Sequence, residues 1–200
     1  MKFLALGDSY TIGESVDPAE RWPAQLTALL RGQGLAVAEP TLIAQTGWTT
    51  DELAGAIAVA NPPGPYDLVS LLIGVNNQYR GREAEEYRRQ FVSLLKQAIA
   101  FAGGHASRVI VLSIPDWGVT PFAAGGDRAA IGRAIDSFNA INRAETERLG
   151  AAYVDVTPGS REAATDPGLV AADGLHPSGR MYAEWARLSF PAACRALQQP

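Results

Sequence analysis

Short apolar runs alternate along the chain with longer stretches in which apolar residues recur every three or four positions. That alternation predicts βαβ units around a parallel sheet. The strands expected are Phe3–Leu6, Ala36–Ala44, Leu68–Ile73, Val109–Ile114 and Tyr153–Val156. Pro40 interrupts the second and places it near a sheet edge, whereas the nearly continuous apolar run of the third suits the sheet centre, covered by helices on both faces. The helices expected are Trp22–Leu35, with Trp22, Leu26, Leu29 and Leu30 on one face; Leu53–Ala60, opened by Thr50-Asp51-Glu52; and Glu83–Ala102, with Tyr87, Phe91, Leu94, Leu95 and Ile99 inward. Arg128–Leu149 and Ser178–Leu197 follow, the latter packing Tyr182, Trp185 and Leu188 and kinked at Pro191. Asp116–Gly126 and Thr157–Gly174 read as loops.

No repeat or linker divides this pattern, so residues 1–200 are expected to form a single domain. Composition narrows the function classes. Hydrophobic residues make up 47% and charged residues 19% of 200, a globular balance. A net charge of −4 leaves no basic surplus for a polyphosphate backbone, so no nucleic-acid partner is expected. No run of apolar residues is long enough for a membrane span, and the opening apolar run stops at Gly7-Asp8, too short for a secretory signal; a cytoplasmic protein is the expectation. No heptad or apolar stripe argues for association, so a monomer is expected. Cys194 alone cannot build a disulfide framework, and two histidines, His105 and His176, rule out a His-rich metal centre; neither metal nor cofactor is expected.

In open α/β sheets ligands bind beyond the carboxyl ends of the strands. The ends of the first three strands, and the segment before the last helix, carry polar, glycine-punctuated turns: Gly7-Asp8-Ser9, Gln45-Thr46-Gly47-Trp48, Gly74-Val75-Asn76-Asn77 and Asp173-Gly174-Leu175-His176-Pro177. Acyl transfer needs a nucleophile, a base, a group that orients the base, and donors where the oxyanion develops. Ser9 is the candidate nucleophile and His176 the base. Asp173, three residues earlier on the same turn, is the orienter, with Asp155 and Asp116 as alternatives at other strand ends. The candidate oxyanion donors are the backbone N–H of Ser9, the backbone N–H of Gly47 and the side-chain amide of Asn76, with Asn77 as the alternative amide. Asp8 is read as a cap on the turn that follows Ser9.

These four blocks, in this order, resemble those of the GDSL esterase/lipase family, also called SGNH hydrolases. The resemblance covers most of the chain. It implies a flavodoxin-like three-layer α/β/α sandwich, here with a five-stranded parallel sheet, and hydrolysis of esters or thioesters through an acyl-serine without a metal. Two positions depart from the family pattern: Tyr10 stands where the family name has Leu, and Asn77 where an Asp often follows.

Trp48, Asn77, Tyr79 and Trp117 are the candidate substrate-binding residues, and Phe122 falls in a similar loop. Loops too short to form a lid suggest short to medium acyl chains, so the expected partner is a small-molecule ester. The alternatives are an acyltransferase, a thioesterase or lysophospholipase, or a carbohydrate O-acetyl esterase using the same residues; a non-catalytic binding module is a further reading. The charge run Arg80–Arg89 reads as a solvated helix face with i,i+4 pairs; the alternative is that Arg80 or Arg82, near the third strand end, meets an anionic leaving group. His105 is expected in solvent and Cys194 in the core.

Overall fold

A computed structural model describes residues 1–198. Its strands β1 (Phe3–Gly7), β2 (Thr41–Ala44), β3 (Leu68–Leu72), β4 (Val109–Leu112) and β5 (Ala152–Val154) pair in parallel in the order β2-β1-β3-β4-β5. The helices are α1 (Ser9–Ile12), α2 (Trp22–Gly32), α3 (Thr50–Ala60), α4 (Val75–Tyr79), α5 (Ala84–Phe101), α6 (Arg128–Arg148), α7 (Thr157–Arg161) and α8 (Gly179–Gln198). Helices α2 and α8 pack together against one face of the sheet, while α3, α5 and α6 cover the other, which makes the three-layer α/β/α arrangement.

All residues of β1, β3 and β4 are buried, as continuous apolar runs require when both faces are covered. Each buried Leu or Val there contributes about 1.5–3 kcal/mol relative to exposure. Strand β3 is the central strand and β2 an edge. The ladder of β2 begins only after Pro40. Residues 36–40 run beside the sheet without joining it, held by Ala38 N–H donating to Met1 O (2.9 Å) and Arg31 Nε donating to Val37 O (2.8 Å). A residue without an N–H cannot extend the ladder.

Most helix boundaries fall within a few residues of the periodic pattern. Leu29 and Leu188, expected to pack, are 38% and 40% exposed, and on α5 Ala98 is fully buried while Ile99 is only partly so. Helix α8 continues past Pro191. Three short helices, α1, α4 and α7, lie where loops were expected, and the first two decide the site. The chain passes from β1 to β2 on one side and then to β3 on the other, so the order reverses between β1 and β3. That reversal opens a crevice at their carboxyl ends. Gly7 is level with both Ala44 and Leu72, so the turns after β1, β2 and β3 emerge side by side.

Candidate active site

Ser9 is the first residue of α1. The preceding Gly7 has no side chain because a Cβ there would overlap Thr11 of the same tight turn and the Leu72 carbonyl of β3. Asp8 caps α1, its Oδ1 accepting from Tyr10 N–H at 3.0 Å. Asp8 is wholly buried, and Oδ2 has no hydrogen-bond partner among the described residues. Burial pushes its carboxyl up to about 7, against the smaller downward pull of the Tyr10 N–H. Ser9 itself is 5% exposed, and its N–H has no protein acceptor among the described residues.

Across the crevice, Asp173 Oδ2 holds His176 Nδ1 at 2.6 Å. The remaining alternatives for this role are engaged elsewhere: Asp116 accepts from Gly118 N–H and Arg161, and Asp155 from Ser113 and Arg143. Asp173 accepts three further bonds, from Leu175 N–H (2.9 Å), His176 N–H (3.0 Å) and Ser15 Oγ (2.7 Å). Partial burial pulls its carboxyl up, but these donors outweigh it and hold Asp173 well below the usual carboxylate range. Asp173 therefore stays ionised, and because an ionised carboxylate only accepts, its 2.6 Å bond places a proton on Nδ1 of the imidazole. The ring of Tyr10 meets His176 edge-on at 5.6 Å and Trp185 at 6.0 Å. At this departure from the family pattern an aromatic ring fills the space between the histidine and α8.

Gly47 and Asn76 complete the crevice. Gly47 sits at φ +84°, where its lack of a side chain is a conformational need; a Cβ would meet nothing closer than 3.8 Å. Its carbonyl accepts from Arg80 Nη2 at 2.6 Å, and Arg80 Nη1 reaches Glu52 at 3.3 Å. The Gly47 N–H has no protein acceptor among the described residues. Asn76 donates through Nδ2 to Trp48 O at 2.9 Å, which leaves the second N–H of that amide available.

A cavity of about 150 Å3 lies between these groups, lined by Ser9, Gly47, Asn76 and His176 together with Tyr10, Thr46, Val75, Tyr79, Trp117, Phe122 and Leu175. No charged side chain lines it. Tyr79, Trp117 and Phe122, from the turns after β3 and β4, form one aromatic cluster at the mouth, with ring centroids 5.4–6.3 Å apart. The indole Nε1 of Trp117 is tied to Gln78 Oε1 at 2.9 Å, whereas Tyr79 and Phe122 are more than half exposed.

The structure thus brings together Ser9, Asp173, His176, Gly47, Asn76, Tyr79 and Trp117. It leaves two candidates outside. Asn77 is 1% exposed and turned away, its Oδ1 accepting from Thr50 N–H (3.0 Å) and its Nδ2 donating to Thr50 Oγ1 (2.7 Å), so it braces α4 against the start of α3. Trp48 contributes its carbonyl to Asn76 and, partly buried against the core, lines a separate groove along β2 and α3 instead of the cavity. Arg80, considered for an anionic leaving group, is held on Gly47 and Glu52. Thr46, Val75 and Leu175, which line the cavity, flank the expected residues in the same turns and were not singled out by the sequence. His105 is exposed, and Cys194 packs against the core, where burial pushes its thiol up. No cluster of His, Cys, Asp or Glu suited to a metal occurs among the described residues.

The chain is thus a parallel three-layer α/β/α sandwich with a serine at its first strand end and an Asp–His pair on the loop before its last helix. Residues 5–184 match the model of the GDSL-like lipase/acylhydrolase family, and the chain belongs to that family. Membership makes it a carboxylic ester hydrolase. Among solved structures it is similar to TesA, with 20% identity, a TM-score of 0.74 and coverage of 96% of this chain and 97% of that one. It is also similar to a member of the lipolytic G-D-S-L family from Veillonella parvula (20% identity, TM-score 0.73, covering 96% and 97%). Axe2, an acetylxylan esterase from Geobacillus stearothermophilus, shares 20% identity with a TM-score of 0.69, covering 100% of this chain and 94% of that one. At these identities the likeness is one of fold. A search of curated proteins gives no match. No helix among the described residues is long and apolar enough to cross a membrane.

Proposed function

We propose that the protein hydrolyses small carboxylic esters of short acyl chains through an acyl-enzyme on Ser9. The observation that carries this reading is the 2.6 Å contact from Asp173 to His176 Nδ1, which leaves Nε2 without a partner among the described residues on a ring that lines the same cavity as Ser9, Gly47 and Asn76. In this mechanism Ser9 Oγ attacks the ester carbonyl carbon as its proton passes to His176 Nε2, while Asp173 stabilises the imidazolium. The tetrahedral oxyanion accepts from the N–H groups of Ser9 and Gly47 and the free N–H of Asn76. Collapse breaks the bond to the alkoxy oxygen, and the alcohol departs with the proton from His176. Water, giving its proton to the same Nε2, then attacks the acyl-serine, and the acid leaves as Ser9 Oγ regains its proton.

A volume of about 150 Å3 is below the ~300 Å3 typical of drug-sized sites and favours a short acyl group over a fatty one. The exposed faces of Tyr79 and Phe122 suit a flat alcohol part outside the cavity, an aryl group or an acetylated sugar. Axe2, of the same fold, is an acetylxylan esterase. The test is a panel of p-nitrophenyl esters from acetate to octanoate, run with wild type and Ser9→Ala. Turnover that declines with acyl length and disappears in Ser9→Ala is expected, together with fluorophosphonate labelling of wild type alone. Undiminished turnover by Ser9→Ala overturns the reading.

A further inference from the structure

Ser15 lies in the turn after α1 and does not line the cavity, yet its backbone adopts φ +64°, the left-handed region that a residue with a Cβ enters only at a cost. A glycine would sit there without strain, so the choice of serine points to the side chain. Its hydroxyl donates to Asp173 Oδ2 at 2.7 Å, joining segments 158 residues apart in the chain. That oxygen is the one that holds His176 Nδ1. The other carboxylate oxygen, Oδ1, is fixed by the N–H groups of Leu175 and His176, which belong to the same turn as Asp173. Ser15 therefore supplies the carboxylate's hydrogen bond from outside its own loop, and it comes from the segment that continues directly from Ser9 through α1. The neighbouring Glu14 makes a parallel link, accepting a hydrogen bond from Thr46 Oγ1, next to Gly47.

We propose that Ser15 is a positioning residue: its hydroxyl orients the Asp173 carboxylate and so sets His176 relative to Ser9. The proposal rests on the acyl-serine reading above. It separates two properties that usually fall together. Ser15→Gly removes the hydroxyl and relieves the left-handed strain, so its melting temperature is expected to equal or exceed that of wild type while kcat falls about three- to tenfold at unchanged KM. Ser15→Thr restores a hydroxyl in a more strained residue, so it is expected to melt lower and yet keep kcat within about twofold of wild type. Activity then ranks Ser, Thr, Gly, and stability ranks in the opposite order for the two variants. If the threonine variant does not fold, Ser15→Asn, which tolerates the left-handed region and carries an N–H donor, takes its place, with kcat above that of Ser15→Gly. Wild-type kcat in Ser15→Gly overturns the proposal, and so does a loss of kcat that tracks the melting temperature across the series. Ser9→Ala measured on the same ester keeps the two readings apart: activity surviving there removes the acyl-serine mechanism, whereas an inert Ser9→Ala beside a fully active Ser15→Gly removes only the role of Ser15.

Discussion

Two aspartates stand on either side of Ser9 and His176, the proposed nucleophile and base, and their surroundings drive them in opposite directions. Asp8, beneath Ser9 at the foot of α1, is wholly buried, accepts one backbone N–H on Oδ1 and leaves Oδ2 unpartnered. Asp173, on the loop that carries His176, keeps part of its surface in water and accepts four hydrogen bonds. The first carboxyl is pushed up to about 7 and the second is held below the usual range. The same side chain thus serves as an architectural cap in one region and as a fixed negative charge in the other. What decides is the number of donors set against the loss of water. The nucleophile side is organised by packing on the sheet, while the base side is organised by hydrogen bonds in an irregular loop.

The most damaging way to break that contrast is Asp173→Asn, which keeps the shape but removes the charge that holds Nδ1 protonated. We expect kcat/KM on p-nitrophenyl acetate to fall by about 10^3- to 10^4-fold with little change in melting temperature. A loss under tenfold would mean that the Asp173 charge does not support His176.

Asp8→Asn addresses the other side and is read in stability. The unfolded Asp8 titrates near 3.8 and the folded one near 7. Below the lower value both states are protonated and the group has no effect. Between the two values the unfolded state ionises first and is favoured, so Asp8 costs stability as pH rises, and above 7 the cost is complete. Asparagine retains the capping oxygen without the charge. Its advantage over wild type is expected to be small at pH 4, to grow through neutrality and to level off at pH 8, up to about 4 kcal/mol. Chemical denaturation of both proteins at several pH values measures it; an advantage independent of pH would show that the charge of Asp8 is not the cause.

Arg80→Ala tests whether the donors on the nucleophile side depend on packing alone. The guanidinium fixes the Gly47 carbonyl while its other nitrogen reaches Glu52, which itself accepts from Thr49 N–H at 2.8 Å. Without it, the Gly47 turn is free to relax and kcat/KM is expected to fall about tenfold, with the fluorophosphonate reaction of Ser9 slowed in parallel. An unchanged rate would assign the turn's geometry to the φ of Gly47 itself.

These devices differ in how far the sequence discloses them. Continuous apolar runs such as Leu68–Ile73 announce buried strands, and the spacing of Tyr87, Phe91, Leu94 and Leu95 announces a packed helix, because burial acts on many residues at once. The four polar turns were likewise legible, since strand ends are where a parallel sheet exposes its chemistry. Helices of four or five residues, such as α1 and α4, are too short to show a period. No period therefore tells Asn76 from Asn77, although one helical step places the first at the cavity and turns the second toward Thr50. Trp48 illustrates the same limit in a turn. Ser15 left no local signal at all, because its partner lies 158 residues away and its backbone φ is not written in residue type.

Tyr10 joins the two regions, and the smallest expected effect sharpens the comparison most. Its backbone N–H donates to Asp8 on the nucleophile side, while its ring edge lies 5.6 Å from the His176 ring on the base side. The backbone bond survives replacement by phenylalanine or leucine, so these variants change only what the side chain touches: His176, Trp185 and the cavity wall. Aromatic pairs of this geometry contribute about 0.5–1.5 kcal/mol, which corresponds to a roughly two- to tenfold change if the contact orients the imidazole. Tyr10→Phe keeps the ring and is expected to hold kcat/KM within about twofold, whereas Tyr10→Leu is expected to lower it about two- to tenfold through kcat. Leucine stands at this position in the family pattern, so the fold should accept it, and melting temperatures within a few degrees would confirm that the loss is local. Equal activity in the phenylalanine and leucine variants would mean that the hydrogen bonds of the Asp173 loop orient His176 unaided, and the base side would then owe nothing to packing.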